Sequence, residues 1–113
     1  MSIEIQLERS EHEPGGVVRG KVVSTPPVGQ EDRKVELSVL WQTEGKGDTD
    51  LGVPLHRELE RPGTHDFEVR LPLLPVSYSG TLLKIRWLVR VRRHAPFADD
   101  EVEEKEFVVR WPG

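Results

Sequence analysis

Residues 67–91 read FEVRLPLLPVSYSGTLLKIRWLVRV. Phe67, Val69 and Leu71 alternate with Glu68 and Arg70. Further on, Leu83, Ile85, Trp87, Val89 and Val91 share one side of the longest such run in the chain. Apolar side chains at every second position mark a strand with one dry and one wet face. Between the two runs stand Pro72 and Pro75, which cannot donate ladder hydrogen bonds, so the first strand ends there and a stiff loop follows. Gly80 is expected to permit a turn conformation that a β-carbon hinders. Tyr78 adds an apolar ring whose hydroxyl can reach a nearby backbone group. The stretch is strand, proline loop, strand.

The same alternation recurs on either side of it. Ile3, Ile5 and Leu7 alternate with Glu4, Gln6 and Glu8, and Val18, Gly20 and Val22 share a face opposite Arg19 and Lys21. Val35, Leu37, Val39 and Trp41 alternate with Glu36, Ser38, Leu40 and Gln42. A weaker set, Val53, Leu55 and Leu59, contains Pro54, which marks the strand Gly52 to Glu60 as an edge. Phe107, Val109 and Trp111 close the series. About seven short strands with polar turns predict an all-β, immunoglobulin-like sandwich of two antiparallel sheets. The 113 residues fit a single domain, residues 1–113. Trp41, Trp87 and Trp111 each fall in register with aliphatic neighbours, so all three are expected inside the core.

The last two long strands are expected to pair as a hairpin around a loop from His94 to about Asp100. One register aligns Val89 with Phe107, Trp87 with Val109 and Ile85 with Trp111. It also sets Arg90 opposite Glu106 and Arg92 opposite Glu104 on the wet face, pairs worth ~0.2–1 kcal/mol each.

The residues also carry a family resemblance. Leu71, Pro72, Pro75, Ser77, Tyr78, Gly80, Ile85, Trp87 and Val89 resemble the arrestin-like N-terminal domain, in which a strand ends in Leu-Pro and a Pro-x-Ser-aromatic-x-Gly loop precedes a long strand. Upstream, Pro14-Gly15-Gly16-Val17-Val18-Arg19-Gly20-Lys21-Val22 resembles the same family's Pro-Gly-x-x-Val-x-Gly-x-Val strand. The nearest members in character are prokaryotic and sporulation-control-protein-like. The resemblance implies an arrestin-type sandwich with Gly15, Gly20, Pro72, Pro75, Tyr78 and Gly80 as fold-defining positions. It also implies a protein-interaction module acting as adaptor, scaffold or regulator. Most members carry two sandwiches in tandem, whereas this chain supplies one.

Composition narrows the function further. Sixteen basic against twenty acidic side chains give a net charge of −4, the wrong sign for a general nucleic-acid binder. The absence of cysteine excludes disulfides, thiolate metal sites and a thiol nucleophile. No apolar run approaches a membrane span, and Met1-Ser2-Ile3-Glu4 does not open a signal peptide, so the cytosol is the expected compartment. The chain has no asparagine, and arginine outnumbers lysine 11 to 5, which points to a GC-rich, bacterial coding sequence.

Chemical motifs are few. Gly45-Lys46-Gly47-Asp48-Thr49 lacks the spacing of a phosphate loop and reads as a hairpin turn. Asp48 and Asp50 have no further ligand at calcium-loop spacing. His12, His56, His65 and His94 are scattered, without metal-ligand spacing or a nucleophile motif, so no catalytic residue, metal or cofactor is expected. The acidic run Asp99, Asp100, Glu101, Glu103 and Glu104 reads as a solvated face or as a docking patch for a basic partner. Arg86, Arg90 and Arg92 form a stripe, the candidate site for an acidic or phosphorylated partner. A homodimer through the Gly52–Glu60 edge is a further expectation. The alternative function is a small-molecule or carbohydrate-binding sandwich. It requires an exposed aromatic, for which Phe97 and Tyr78 are the candidates.

Overall fold

The computed structural model describes residues 2–45, 49–95 and 98–112. Lys46, Gly47 and Asp48 of the phosphate-loop-like segment, and Phe97, lie outside the described residues. Among the described residues nine strands are present: β1 Ser2–Leu7, β2 Glu11–His12, β3 Val17–Thr25, β4 Val35–Gly45, β5 Leu51–Leu59, β6 Gly63–Arg70, β7 Tyr78–Ser79, β8 Leu83–Arg93 and β9 Glu101–Val109. The seven long strands are those expected from the alternation. The two extra strands have two residues each. Among the described residues no helix is long and apolar enough to cross a membrane.

The strands form two sheets. One has the order β1-β3-β6; the other runs β2-β9-β8-β4-β5, with β7 also paired to β8. All pairings are antiparallel except the short β2–β9 contact, which is parallel. The inward faces supply one core, in which Val18 and Val22 meet Leu37, Val39, Trp87, Val89, Val91, Phe107 and Val109, all essentially free of solvent contact. The architecture is the two-sheet sandwich that the sequence predicts.

On the outer face of β4 and β8 alternation fails. Leu40, expected on the wet face, is buried, and so is its cross-strand partner Leu88. Neither belongs to the inter-sheet core. They form a small apolar pair on the outer face, flanked along β8 by the half-buried Arg86 and Arg90, whose aliphatic stems can cover such a pair while the charged heads stay wet.

Two corrections concern β9. Its register with β8 pairs Trp87 with Phe107, Arg90 with Glu104 and Arg92 with Val102, two residues from the expected alignment. A slip of two keeps every side chain on its face, so periodicity alone cannot detect it. The second correction is Trp111, which is not in the core: it is 56% exposed. The cause lies in the proline loop. Beyond Phe107, β9 leaves β8, and β7 takes its place there, pairing Tyr78 with Ile85 and Ser79 with Lys84. Ser77 separates the two strands by holding both sides of Val109: its N–H donates to the Val109 carbonyl (2.8 Å), and its Oγ accepts from the Val109 N–H (2.9 Å). Trp111 therefore lies beyond the paired part of β9. Trp87 is fully buried as expected, and Trp41 packs at the margin of the core.

Candidate functional site

The two sequence motifs meet at one end of the sandwich. The Leu71 N–H donates to the Gly16 carbonyl (2.8 Å), and the Gly15 N–H donates to the Pro72 carbonyl (3.2 Å). Gly15 turns with φ 77°, a conformation that costs a residue with a β-carbon and costs glycine nothing. From below, the buried Trp87 indole donates to the Pro75 carbonyl at 2.9 Å. Pro72 and Pro75 thus present carbonyls that are used, while lacking N–H groups that would be orphaned. The expectation for Gly80 is corrected: its φ is not positive, and it is needed because the Tyr78 ring lies over it, where a β-carbon would stand 2.7–2.9 Å from ring atoms.

This anchored loop exposes apolar side chains. Leu73 and Leu74 project from it, with Leu74 68% exposed, and Leu82 is 72% exposed before the start of β8. Tyr78 and Leu83 are exposed as well. Large apolar side chains held in the open by a fixed backbone are candidates for a binding surface. Alternation does not mark Leu73, Leu74 or Leu82, which belong to no strand. A signal was present, because two consecutive leucines bracketed by prolines cannot lie in a ladder and have no dry face to turn toward.

The arginine stripe occupies the outer face of the larger sheet. Arg86 bonds Glu44 through Nη1 (2.8 Å) and Glu106 through Nε (3.2 Å). Arg90 bonds Glu104 (2.6 Å) and Gln42 (3.3 Å), and Arg92 bonds Asp100 (3.3 Å). The Arg86 guanidinium holds the Glu44 carboxyl below the ordinary glutamate range, and Glu44 in turn raises Arg86. The structure brings the three arginines onto one face, each already facing a carboxylate of its own sheet. Arg93, on the opposite face of β8, is buried; it donates to Ser24 of the other sheet (2.8 Å) and pairs with Glu101 (3.3 Å).

Of the four histidines, His56 and His94 converge on Glu36, at 3.6 Å and 2.8 Å. His94 also faces Asp100 (3.3 Å), and Lys34 faces Glu36 (3.4 Å). His65 and His12 bond backbone carbonyls elsewhere. Among the described residues no three His, Cys, Asp or Glu side chains are placed to share a metal ion.

The cluster predicts a pH response. The His94 hydrogen bond, then Lys34, hold the Glu36 carboxyl below its ordinary 4.5. The Ala95 N–H, then Arg92 and His94, hold Asp100 below 3.8. Burial lowers His12 from its ordinary 6.5. All three folded values lie below the unfolded ones, so the unfolded chain takes up protons first as the solution is acidified. The His12 contribution is complete above pH 6.5 and is lost as pH falls through its lower folded value. The Glu36 contribution is complete above 4.5 and is lost in the same manner. Thermal unfolding followed by circular dichroism should show Tm declining in two stages. His12→Gln should remove the first stage, and Glu36→Gln should shrink the second.

Comparison with known proteins bears on the fold. No family model and no curated protein matches the sequence. Among solved structures, the chain is similar to Spo0M, the sporulation control protein of Bacillus subtilis, with a TM-score of 0.62 and 18% identity over 95% of this chain and 48% of that one. It is also similar to the superoxide reductase (neelaredoxin) of Ignicoccus hospitalis, with a TM-score of 0.58 and 12% identity over 97% of this chain and 81% of that one. At such identities the likeness is one of fold. The chain spans about half the length of Spo0M, and its architecture is the sandwich found in that sporulation control protein.

Proposed function

We propose that this chain is a non-catalytic protein-binding module, an adaptor or regulator of the arrestin-like type working in a bacterial cytosol. The observation that carries this reading is the proline loop, pinned from three sides, which leaves Leu73 and Leu74 largely exposed, with Tyr78, Leu82 and Leu83 exposed further along the same chain segment. A rigid apolar platform is what a protein partner needs, since little ordering entropy is lost on docking. Catalysis has less support. Among the described residues no serine or threonine hydroxyl bonds a histidine, and the His94 cluster of Glu36, Asp100, Lys34 and His56 holds no hydroxyl or thiol.

Two other surfaces rank behind this end. A partner reading Arg86, Arg90 and Arg92 has to displace four in-sheet carboxylates, those of Glu44, Glu104, Glu106 and Asp100. A second copy adding to β5 meets an edge interrupted by Pro54 and by a bulge opposite Leu40, devices that blunt strand addition.

The test is an affinity capture from host lysate with three baits of equal thermal stability: wild type, Leu73→Ser/Leu74→Ser, and Arg86→Glu/Arg90→Glu/Arg92→Glu. A specific partner is expected with wild type, reduced about tenfold or more by the leucine pair. A partner lost only with the arginine variant moves the site to the sheet face. Repeated absence of any partner, at any salt, ends the protein-binding reading.

A further inference from the structure

Trp111 lines a surface cavity of about 330 Å3 together with Arg9, Glu11, His12, Glu13 and Arg110. That volume falls at the small end of the roughly 300–1,000 Å3 typical of small-molecule sites. Its walls are held by backbone. Glu11 and His12 pair with Val108 and Val109, the Val108 N–H donates to Ser10 (2.9 Å), and the Arg110 N–H donates to His12 (3.0 Å). His12, beneath the cavity, is buried, bonds the Arg9 carbonyl through Nε2 (3.1 Å) and sets its ring edge-on to Phe107 at 5.5 Å. The exposed indole borders a floor fixed by backbone hydrogen bonds, so little of that floor has to be ordered on binding.

The charge pattern selects among ligands. Two arginines balance two glutamates, and Arg110 is already bonded to Glu11 at 2.6 Å. A cationic guest favoured by the indole and glutamates also meets Arg9 and Arg110; an anionic guest meets Glu11 and Glu13. A neutral ring bearing many hydroxyls meets neither penalty. Its C–H face can lie on the indole, while its hydroxyls donate to carboxylates and accept from guanidinium groups. We propose that this cavity is a subsite for a neutral saccharide, with Trp111 as its stacking plate and Glu13 and Arg9 as its hydroxyl partners. The proposal is independent of the protein-binding reading, which rests on the leucines of the proline loop.

The experiment titrates the full chain with glucose, N-acetylglucosamine and their β-1,4-linked oligomers, following the indole N–H resonances by NMR. Of Trp41, Trp87 and Trp111, only Trp111 is largely exposed, so its signal is assigned by its loss in Trp111→Ala. At least one neutral saccharide is expected to move the Trp111 resonance saturably. Trp111→Ala should weaken that binding about tenfold or more, Trp111→Phe should retain most of it, and Glu13→Gln should weaken it several-fold. Both positions are exposed, and an unchanged Tm confirms that the variants fold. Tetramethylammonium and inorganic phosphate serve as charged probes and should not saturate the site. The proposal is overturned if no saccharide shifts Trp111 up to about 50 mM, if binding survives Trp111→Ala, or if only the charged probes bind. It is equally overturned if Trp111→Ala releases a captured protein partner while no saccharide binds, which assigns the indole to a protein interface.

Discussion

Replacing Trp87 by alanine should lower the unfolding free energy by about 3–5 kcal/mol. The side chain is fully buried between the sheets and packs on Phe107 with ring centroids 5.9 Å apart. Its loss removes the largest solvent-free side chain in the core. It also leaves the Pro75 carbonyl without the indole N–H that it accepts at 2.9 Å. Trp87→Phe separates the two contributions, because it keeps most of the apolar volume and removes only the donor. A loss of about 0.5–1.5 kcal/mol is expected for that variant, the net worth of a hydrogen bond to a half-buried acceptor that water can reach in its place. Urea unfolding monitored by circular dichroism measures both. Limited proteolysis of Trp87→Phe should cut the 71–77 segment first, since the indole bond is one of the ties fixing that loop. If Trp87→Phe proves as stable and as protease-resistant as wild type, the bonds to Gly15, Gly16 and Val109 hold the loop without the indole.

The fold was legible because a sandwich strand must hide every second residue. Ile5, Val18, Val22, Leu37, Val39, Phe67, Trp87 and Val89 all fall on the dry side that alternation assigns them, and all are buried. Two kinds of error follow from the same rule. Period two is blind to a slip of two, so β9 was aligned with Phe107 against Val89 when it lies against Trp87. The charge ladder offered no correction, since glutamates stand at 104 and 106 and either register pairs arginine with an acid. Periodicity also carries no information about where a ladder stops. Val109 and Trp111 look like one continuing strand, yet Ser77 ends the pairing at Val109, and that is a contact 32 residues away in sequence. Leu40 and Leu88 escaped for a third reason: burial on an outer face depends on long neighbouring side chains lying down over it, which alternation does not encode.

The candidate site was less legible than the fold. Arg86, Arg90 and Arg92 do share a face, as their spacing requires. Their carboxylate partners come from two different neighbouring strands, Glu44 on β4 and Glu104 and Glu106 on β9, and that three-strand arrangement depends on topology. The proline loop was read for its structural role, and its leucines were overlooked because they belong to no strand. The prolines that end a ladder in the sequence also hold Leu73 and Leu74 out in the open. Trp111 is a surface aromatic that periodicity assigns to the core, because alternation extends β9 past the point where its pairing stops.

Gly20→Ala should cost about 3 kcal/mol, near the upper end of what overpacking a core usually exacts. Gly20 sits at the centre of β3, between Leu7 of β1 and Phe67 of β6. A β-carbon there would stand 2.5 Å from the Gln6 carbonyl oxygen and 2.7 Å from the Phe67 ring. Neither neighbour yields cheaply: the first is backbone within the β1–β3 ladder, and the second is a buried core ring. The two clashes are separable. Phe67→Leu shortens the ring side of the contact, so Gly20→Ala should be milder in that background, by a coupling of about 0.5–3 kcal/mol in a double-mutant cycle. The remaining loss is the clash with β1, and it should appear as faster hydrogen exchange confined to the β1–β3 amides. A Gly20→Ala variant within about 0.5 kcal/mol of wild type would mean that β1 shifts freely on the small sheet. In that case the glycine of the Val-x-Gly-x-Val segment is not required by close approach, and the steric account of that motif fails.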